Sequence, residues 1–138
     1  MKRIFALTLT LLLAFSLASC ALFAKDKNVW ADAVYTEDTT LGEGAKAVTV
    51  ELEVGEHLIT FTVKTDKTIL GDALLDVELI SGEEGPYGLY VKTVNGMTVD
   101  YDKDGRYWSL EINGDYAMTG VDTTEITEGT VYRLVYAK

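Results

Sequence analysis

The chain is poor in the residues that most often carry chemistry, with one cysteine, one histidine and one proline among its 138 residues. His57 has no second histidine and no cysteine to pair with, which excludes a metal site built on two histidines or on a histidine and a cysteine. We expect His57 to be a surface turn residue. The single thiol, at Cys20, excludes a disulfide within the chain. The protein must therefore fold by burying apolar side chains.

Basic residues are also scarce, with 12 Lys and Arg against 22 Asp and Glu and a formal net charge of −10. Such a chain repels phosphate backbones, so we expect no nucleic-acid partner. Neither Ser81 nor Ser109 lies in the G-x-S-x-G pattern of a nucleophilic serine. The G-E-G run at residues 42–44 lacks the lysine and the helix of a phosphate-binding loop. We expect that the protein is not an enzyme.

The N-terminal segment has the pattern of a targeting signal. A short basic start is followed by an apolar run over residues 4–18, too short for a typical spanning helix, which ends in L-A-S-C. This ending resembles a bacterial lipobox, in which the cysteine carries the lipid. We predict a lipoprotein signal peptide at residues 1–19, lipidation of Cys20, and a tether with an N-terminal extension over residues 20–45. The protein would then be extracytoplasmic and lipid-anchored to the cell membrane. The alternative is an ordinary cleaved signal with an incidental cysteine.

Period-two alternation predicts strands over most of the remaining chain. Residues 48–54 and 58–65 alternate apolar and polar around Gly55-Glu56, which indicates a β-hairpin. Residues 87–94 precede Asn95-Gly96, a strong hairpin-turn signal, and Asn113-Gly114 marks another tight turn. Further strands are predicted in M-T-V-D-Y, R-Y-W-S-L-E-I, D-Y-A-M-T-G-V and the closing T-V-Y-R-L-V-Y-A.

One segment changes to a helical period. Leu70, Ala73, Leu74 and Val77 fall at i, i+3, i+4 and i+7, which predicts a helix within residues 68–80, capped by Thr68 or Asp66. The S-G-E-E-G-P run that follows reads as a loop. The fold class predicted is therefore α+β, with one helix packed on short antiparallel strands.

The stretch D-Y-D-K-D-G-R-Y-W-S-L-E, residues 100–111, matches the spacing of an EF-hand calcium loop. Strand-like residues flank it on both sides, however, and Glu111 would lie along a strand too far away to join the other acids. We predict a hairpin turn in which Gly105 has a positive φ. A weaker calcium site formed by Asp100, Asp102 and Asp104 without Glu111 is the alternative to having no metal site.

Tyrosine and tryptophan are concentrated in the second half of the chain, where roughly half of them should face outward from alternating strands. Such side chains offer broad, rigid contact surfaces, which favours a binding module over an enzyme. These residues are Tyr87, Tyr90, Tyr101, Tyr107, Trp108, Tyr116, Tyr132 and Tyr136.

Several motifs in order resemble the transcobalamin C-terminal-like domain, known in bacterial lipoproteins as a domain of unknown function (DUF4430). They are L-G-D-A-L-L, Y-G-L-Y-V-K-T-V-N-G, Y-W-S-L-E-I-N-G, M-T-G-V-D and G-T-V-Y-R-L-V-Y. The resemblance covers a predicted domain at residues 46–138 and implies a β-grasp-like fold. In transcobalamin and intrinsic factor, the similar domain covers one face of cobalamin.

The resemblance implies ligand contacts from seven positions, and an apolar and aromatic loop surface of this kind suits one face of a flat ligand. We therefore expect a binding lipoprotein that takes up cobalamin or another corrinoid and passes it to a membrane transporter, with no covalent cofactor beyond the lipid. The alternative is a cell-surface module that binds a protein or a glycan and no small molecule. The seven positions are Tyr87, Gly88, Leu89, Leu110, Tyr116, Ala117 and Met118.

Overall fold

The computed structural model describes residues 28–138. The predicted signal peptide, Cys20 and residues 21–27 of the predicted tether and extension lie outside the described residues. Within this range the architecture is mostly sheet with one helix of more than a single turn, which confirms the α+β class. No helix in residues 28–138 is long and apolar enough to cross a membrane.

The largest layer is a six-stranded sheet made of β1 (Thr39–Gly42), β2 (Lys46–Val54), β3 (His57–Thr65), β7 (Tyr107–Ile112), β8 (Asp115–Tyr116) and β9 (Val131–Ala137). Its strands lie side by side in the order β1-β3-β2-β9-β7-β8. The β1–β3 and β2–β9 pairs are parallel and the others antiparallel, so the prediction of antiparallel strands holds for only part of this sheet. Parallel neighbours come from distant parts of the chain, and their pairing has no local turn signal.

The central hairpin of β2 and β3 is confirmed. Alternate residues of both strands are buried, and Gly55 adopts a φ of 62° in the turn. A period of two places one set of side chains on the inner face, where they form the core with the helix and the second sheet. The buried residues of the hairpin are Val48, Val50, Leu52, Val54, Ile59, Phe61, Val63 and Thr65.

A second sheet contains three antiparallel strands: β4 (Ile80–Gly85), β5 (Gly88–Val94) and β6 (Met97–Thr98). The prediction of a loop over residues 81–86 is wrong, because most of that stretch is β4. Its pairing with β5 shifts register between Ser81 and Gly82. A Cβ at Gly82 would collide with the carbonyl of Tyr90, so glycine permits the close approach of the strands there. The glycine content therefore indicated a bulge rather than a loop.

The predicted helix is present but shorter, as α1 (Leu70–Asp76). Its N-cap is Ile69, which makes no side-chain capping bond, so the predicted capping by Thr68 or Asp66 is wrong. Asp66 instead accepts a hydrogen bond from the Ala45 N–H at 2.9 Å. Leu70, Ala73 and Leu74 are fully buried, as the helical period predicts. Beyond the helix, Glu78 adopts a φ of 58°, and the chain turns into β4.

The acidic connection after β6 is a single helical turn, α2 (Tyr101–Asp104), and the prediction of a hairpin turn is wrong. The reason is that β6 and β7 belong to different sheets, so the connection crosses between layers. Asp100 caps the turn by accepting from the Asp102 N–H at 3.1 Å. Gly105 ends it with a φ of 69°, which confirms the predicted positive φ at this glycine.

The segment before β2 is integrated into the fold. Strand β1 extends the sheet along β3, and the ring of Tyr35 packs edge-on against that of Phe61 with 5.8 Å between centroids. The buried Asn95 side chain makes two hydrogen bonds to the backbone of Tyr35. It accepts from the Tyr35 N–H and donates to the Tyr35 carbonyl, each at 2.8 Å. Tyr35 and Leu41 thus pack against the same core as the later strands. The predicted domain start at residue 46 stays a prediction.

Candidate functional site

A cleft lies where the two sheets meet, between strands β5 and β7. We call it the β5–β7 cleft; its volume is about 150 Å³. Strand β5 provides one wall and β7 the floor, while β8 and the turn after it close the other side. The cleft is lined by Leu89, Tyr90, Val91, Tyr107, Trp108, Ser109, Leu110, Tyr116, Ala117, Thr119, Gly120, Val121 and Leu134.

The floor is apolar and well ordered by packing. Leu110 is 8% exposed and Trp108 is 9% exposed, and both lie on the inward face of β7. The Trp108 indole donates from Nε1 to the Lys92 carbonyl at 3.1 Å, and its ring lies 5.4 Å from the ring of Tyr136. The Ala117 N–H donates to the Leu110 carbonyl at 2.9 Å, which holds the turn after β8 beside the floor.

None of the lining side chains is an acid, a lysine, an arginine or a histidine. Contact with a ligand would therefore come from apolar surface, tyrosine and threonine hydroxyls, and backbone groups. A lining of this kind offers shape and stacking surface, and it lacks the carboxylate and imidazole groups that general acid–base chemistry most often uses.

Four of the seven positions implied by the resemblance line the β5–β7 cleft: Leu89, Leu110, Tyr116 and Ala117. They come from three separate stretches of sequence, β5, β7 and the β8 region, and only the tertiary fold brings them together. Tyr116 is 64% exposed and forms part of the rim.

The other three positions lie outside the lining. Tyr87 is 99% exposed in the turn between β4 and β5, and Met118 is 91% exposed in the loop after β8. Gly88 begins β5 with a φ of 102°, and a Cβ there would collide with the Asp122 carboxylate. Tyr87 and Met118 thus present large apolar side chains to solvent near the two walls, rather than inside the cleft.

Asp122 is a residue at this site to which the sequence reasoning assigned no role. It lies in a short 3₁₀ turn (Val121–Thr123), and its Oδ2 accepts a hydrogen bond from the Leu89 N–H at 3.0 Å. The only available signal was its place in the M-T-G-V-D motif. A motif can indicate that a residue matters, but the partner, 33 positions earlier in the chain, is visible only in the fold.

Two of the three acids of the weak calcium alternative, Asp100 and Asp104, make local bonds at the α2 turn. Asp104 accepts from the Arg106 N–H at 2.9 Å, and the carboxylate of Asp100 lies 3.9 Å from the Lys103 ammonium. Among residues 28–138, no group of three or more His, Cys, Asp and Glu side chains could hold a metal ion. Glu111 lies within β7, as expected from the strand-like flanks.

Two larger concavities contain none of the seven predicted positions. One, of about 310 Å³, lies between residues 28–32 and the sheet edge, beside Val54, Met97, Thr98 and Tyr136. The other, of about 430 Å³, is open and rich in threonine, with Ile112, Glu125 and Tyr132. The β5–β7 cleft is smaller, but it alone of the three is lined by any of the seven positions that the resemblance implies.

Comparison with known proteins gives one family and 16 matching chains of solved structure, of which two are described below. Residues 66–136 match the family described as a domain of unknown function (DUF4430). A crystal structure of a "putative metal binding protein" from Ruminococcus gnavus ATCC 29149 is 30% identical, with a TM-score of 0.63, covering 68% of this chain and 98% of that one. No match was found among the curated proteins.

The second relative is haptocorrin in complex with Cbi, with 19% identity and a TM-score of 0.51. The match covers 67% of this chain but only 25% of haptocorrin. At this identity the likeness concerns the fold alone. It supports the transcobalamin-like architecture that the sequence motifs indicated.

Proposed function

Because the chain belongs to the DUF4430 family and has a transcobalamin C-terminal-like domain, we propose that it is an extracytoplasmic lipoprotein that binds a corrinoid in its β5–β7 cleft. The single observation that carries the proposal is the convergence of Leu89, Leu110, Tyr116 and Ala117, from three separate stretches, on one uncharged cleft. We also propose that the fold is β-grasp-like, as the sequence resemblance implies.

The cleft's size determines how it would bind. At about 150 Å³ it is smaller than the roughly 300–1,000 Å³ of pockets that enclose small molecules. A broad, flat macrocycle would therefore rest on the rim and leave its other face free. Tyr116 would lie against the covered face, with the Leu110 floor below it. We infer a modest intrinsic affinity, with the second face of the ligand available to a membrane transporter.

The test is an absorbance titration of the purified protein with cobinamide. We expect saturable binding, weakened about tenfold by Tyr116→Ala, because one aromatic contact is worth on the order of 1 kcal/mol or more. Leu58→Ala is the matched control, since Leu58 is an exposed apolar residue on β3, remote from the cleft lining. No spectral change up to roughly 500 µM cobinamide, where even weak specific sites fill, would contradict the proposal.

The exposure of Tyr87 and Met118 supports a second candidate, a surface module that binds a protein or a glycan. An exposed tyrosine such as Tyr87 offers a broad, rigid contact surface with a polar tip, and tyrosine is enriched among the residues that dominate binding at interfaces. Affinity capture with the wild-type protein and with the Tyr87→Ala and Tyr116→Ala variants separates the two. A protein partner lost in both variants, together with no cobinamide binding by the wild type, would favour this second function.

Membrane anchoring through Cys20 is a separate part of the proposal, supported by the L-A-S-C ending of the apolar run. Cells fed labelled palmitate should incorporate the label into the wild-type protein and lose it in Cys20→Ala, which should also leave the membrane fraction. Label retained in Cys20→Ala would place the lipid elsewhere.

A further inference from the structure

We propose that Asp122 is a positioning residue for the β5–β7 cleft, holding strand β5 at the distance from β7 that a ligand requires. This inference rests on the proposed ligand-binding function. The observation behind it is the hydrogen bond from the Leu89 N–H to Asp122 Oδ2, at 3.0 Å. Leu89 lines the cleft on one wall and Val121, next to Asp122, lines it on the opposite side. A single carboxylate thus connects the two walls.

At each end of the cleft, a side chain from outside the three-stranded sheet binds the backbone of strand β5. Near its start, the Leu89 backbone is bound by Asp122, and towards its end, the Lys92 carbonyl accepts from the Trp108 indole at 3.1 Å. Strand β5 belongs to the three-stranded sheet and β7 to the six-stranded sheet, so no backbone ladder joins them. The width of the cleft therefore depends on these two side-chain bonds together with apolar packing.

Close backbone approaches around Asp122 indicate that the carboxylate is tightly seated. A Cβ added at Gly88 would collide with it, and one at Gly120 would lie 3.0 Å from its Oδ1. On the other side, a Cβ at Gly71 of α1 would lie 3.1 Å from the Asp122 backbone. Glycines thus surround the 3₁₀ turn on three sides, and their small size lets β5, α1 and the loop after β8 meet there.

The chemistry of the bond predicts which substitutions matter. An aspartate oxygen accepts from the Leu89 N–H, and an asparagine carbonyl can accept in the same place, whereas alanine cannot. Without the acceptor, the start of β5 would move and the Leu89 wall would lose its fixed spacing from Leu110. A contact surface for a flat ligand loses affinity when one wall is no longer preorganised.

The experiment compares Asp122→Ala, Asp122→Asn and Asp76→Ala in the intact protein, well below the melting temperature of each. Asp76 is an exposed acid at the end of α1, so its removal controls for the loss of one negative charge. Two quantities are measured: the Kd for cobinamide by absorbance, and the exchange rate of the Leu89 amide hydrogen by NMR.

In Asp122→Ala we expect Leu89 exchange about tenfold faster and cobinamide Kd about tenfold weaker, as expected for one lost hydrogen bond to a charged acceptor. Asp122→Asn should restore both quantities to within about threefold of the wild type, since a neutral acceptor keeps roughly half the strength of a charged one. Asp76→Ala should change neither. If Asp122→Ala does not fold, Asp122→Ser replaces it, because its shorter side chain lacks the reach while leaving a smaller gap.

Two results would overturn the inference. One is a lower melting temperature in Asp122→Ala with unchanged Leu89 exchange and unchanged Kd, which would make Asp122 merely structural. The other is a folded Asp122→Asn variant that restores neither quantity. If the wild type fails to bind cobinamide, the proposed function and the effect on affinity fail together. Leu89 exchange then still decides whether Asp122 holds β5.

Discussion

Asn95 shows how one residue can serve both a turn and a long-range contact. With Gly96 it forms the tight turn between β5 and β6, with φ angles of 52° and 80° at the two residues. Its side chain is 1% exposed and makes two hydrogen bonds to the backbone of Tyr35, sixty residues earlier. The Asn-Gly pair predicted the turn, but nothing near it in the sequence indicated Tyr35 as a partner.

Asn95→Gly should lower the free energy of unfolding by about 2–4 kcal/mol, because glycine keeps the turn while two buried hydrogen bonds are lost. Asn113→Gly is the matched control, since Asn113 has a φ of 50° in the other Asn-Gly turn and is exposed. That control should cost about 1 kcal/mol or less, for its one bond to the Val131 N–H. Urea denaturation of both variants checks this; equal losses would show that the Tyr35 contact contributes nothing.

Strand β9 is the element that connects the two halves of the large sheet, between β2 and β7. On its outward face, Arg133 lies 3.0 Å from a carboxylate oxygen of Glu51 and 3.7 Å from one of Glu53, both on β2. It also lies 3.9 Å from Glu111 on β7. One guanidinium thus offsets the negative charge of three carboxylates, which lie on the two strands beside β9. No local motif in the sequence of β9 indicates these partners.

Arg133→Met should lower the free energy of unfolding by about 1–2 kcal/mol at low ionic strength, because three neighbouring carboxylates are left facing one another. About half of this loss should be recovered near 1 M NaCl, since salt screens the repulsion between partly exposed charges. Lys64→Met, which removes a cation from β3 of the same sheet, is the control. Chemical denaturation at both salt concentrations measures the effect; a salt-independent loss would mean that packing rather than charge is responsible.

The packing of the whole fold includes a segment of the chain that precedes the region of family resemblance. Strand β1 pairs with β3, Tyr35 packs on Phe61, and the ring of Trp30 lies edge-on to that of His57 with 6.4 Å between centroids. The family match begins at residue 66, yet β2 and β3 form the centre of the core before that point. The folding unit is therefore larger than the matched region.

A chain that begins at residue 46 should unfold with a free energy about 3–5 kcal/mol lower than one that begins at residue 28, because it loses the Tyr35 contacts and the β1 pairing. Urea denaturation of the two chains gives the difference. Asn95→Gly provides an internal check: it should destabilise the longer chain and have much less effect in the shorter one, where Tyr35 is absent. Equal midpoints for the two chains would place the boundary at residue 46 after all.

Several features depend only on neighbours along the chain, and these could be predicted from the sequence. Alternation of apolar residues was sufficient for the inward faces of β2 and β3, and the Asn-Gly pairs for both tight turns. The motif order was sufficient for the family. The inward faces and the turns follow from side-chain period and local backbone geometry, which act over a few residues.

The remaining features depend on contacts between residues far apart in the chain, so they are visible only in the fold. The glycine-rich residues 82–85 lie in a strand because β4 pairs with β5, and the acidic turn is helical because β6 and β7 belong to different sheets. The parallel pairing of β2 with β9 and the bond from Leu89 to Asp122 have no local signal. The cleft itself, with four of seven expected residues lining it and three outside, exists only where the two sheets meet.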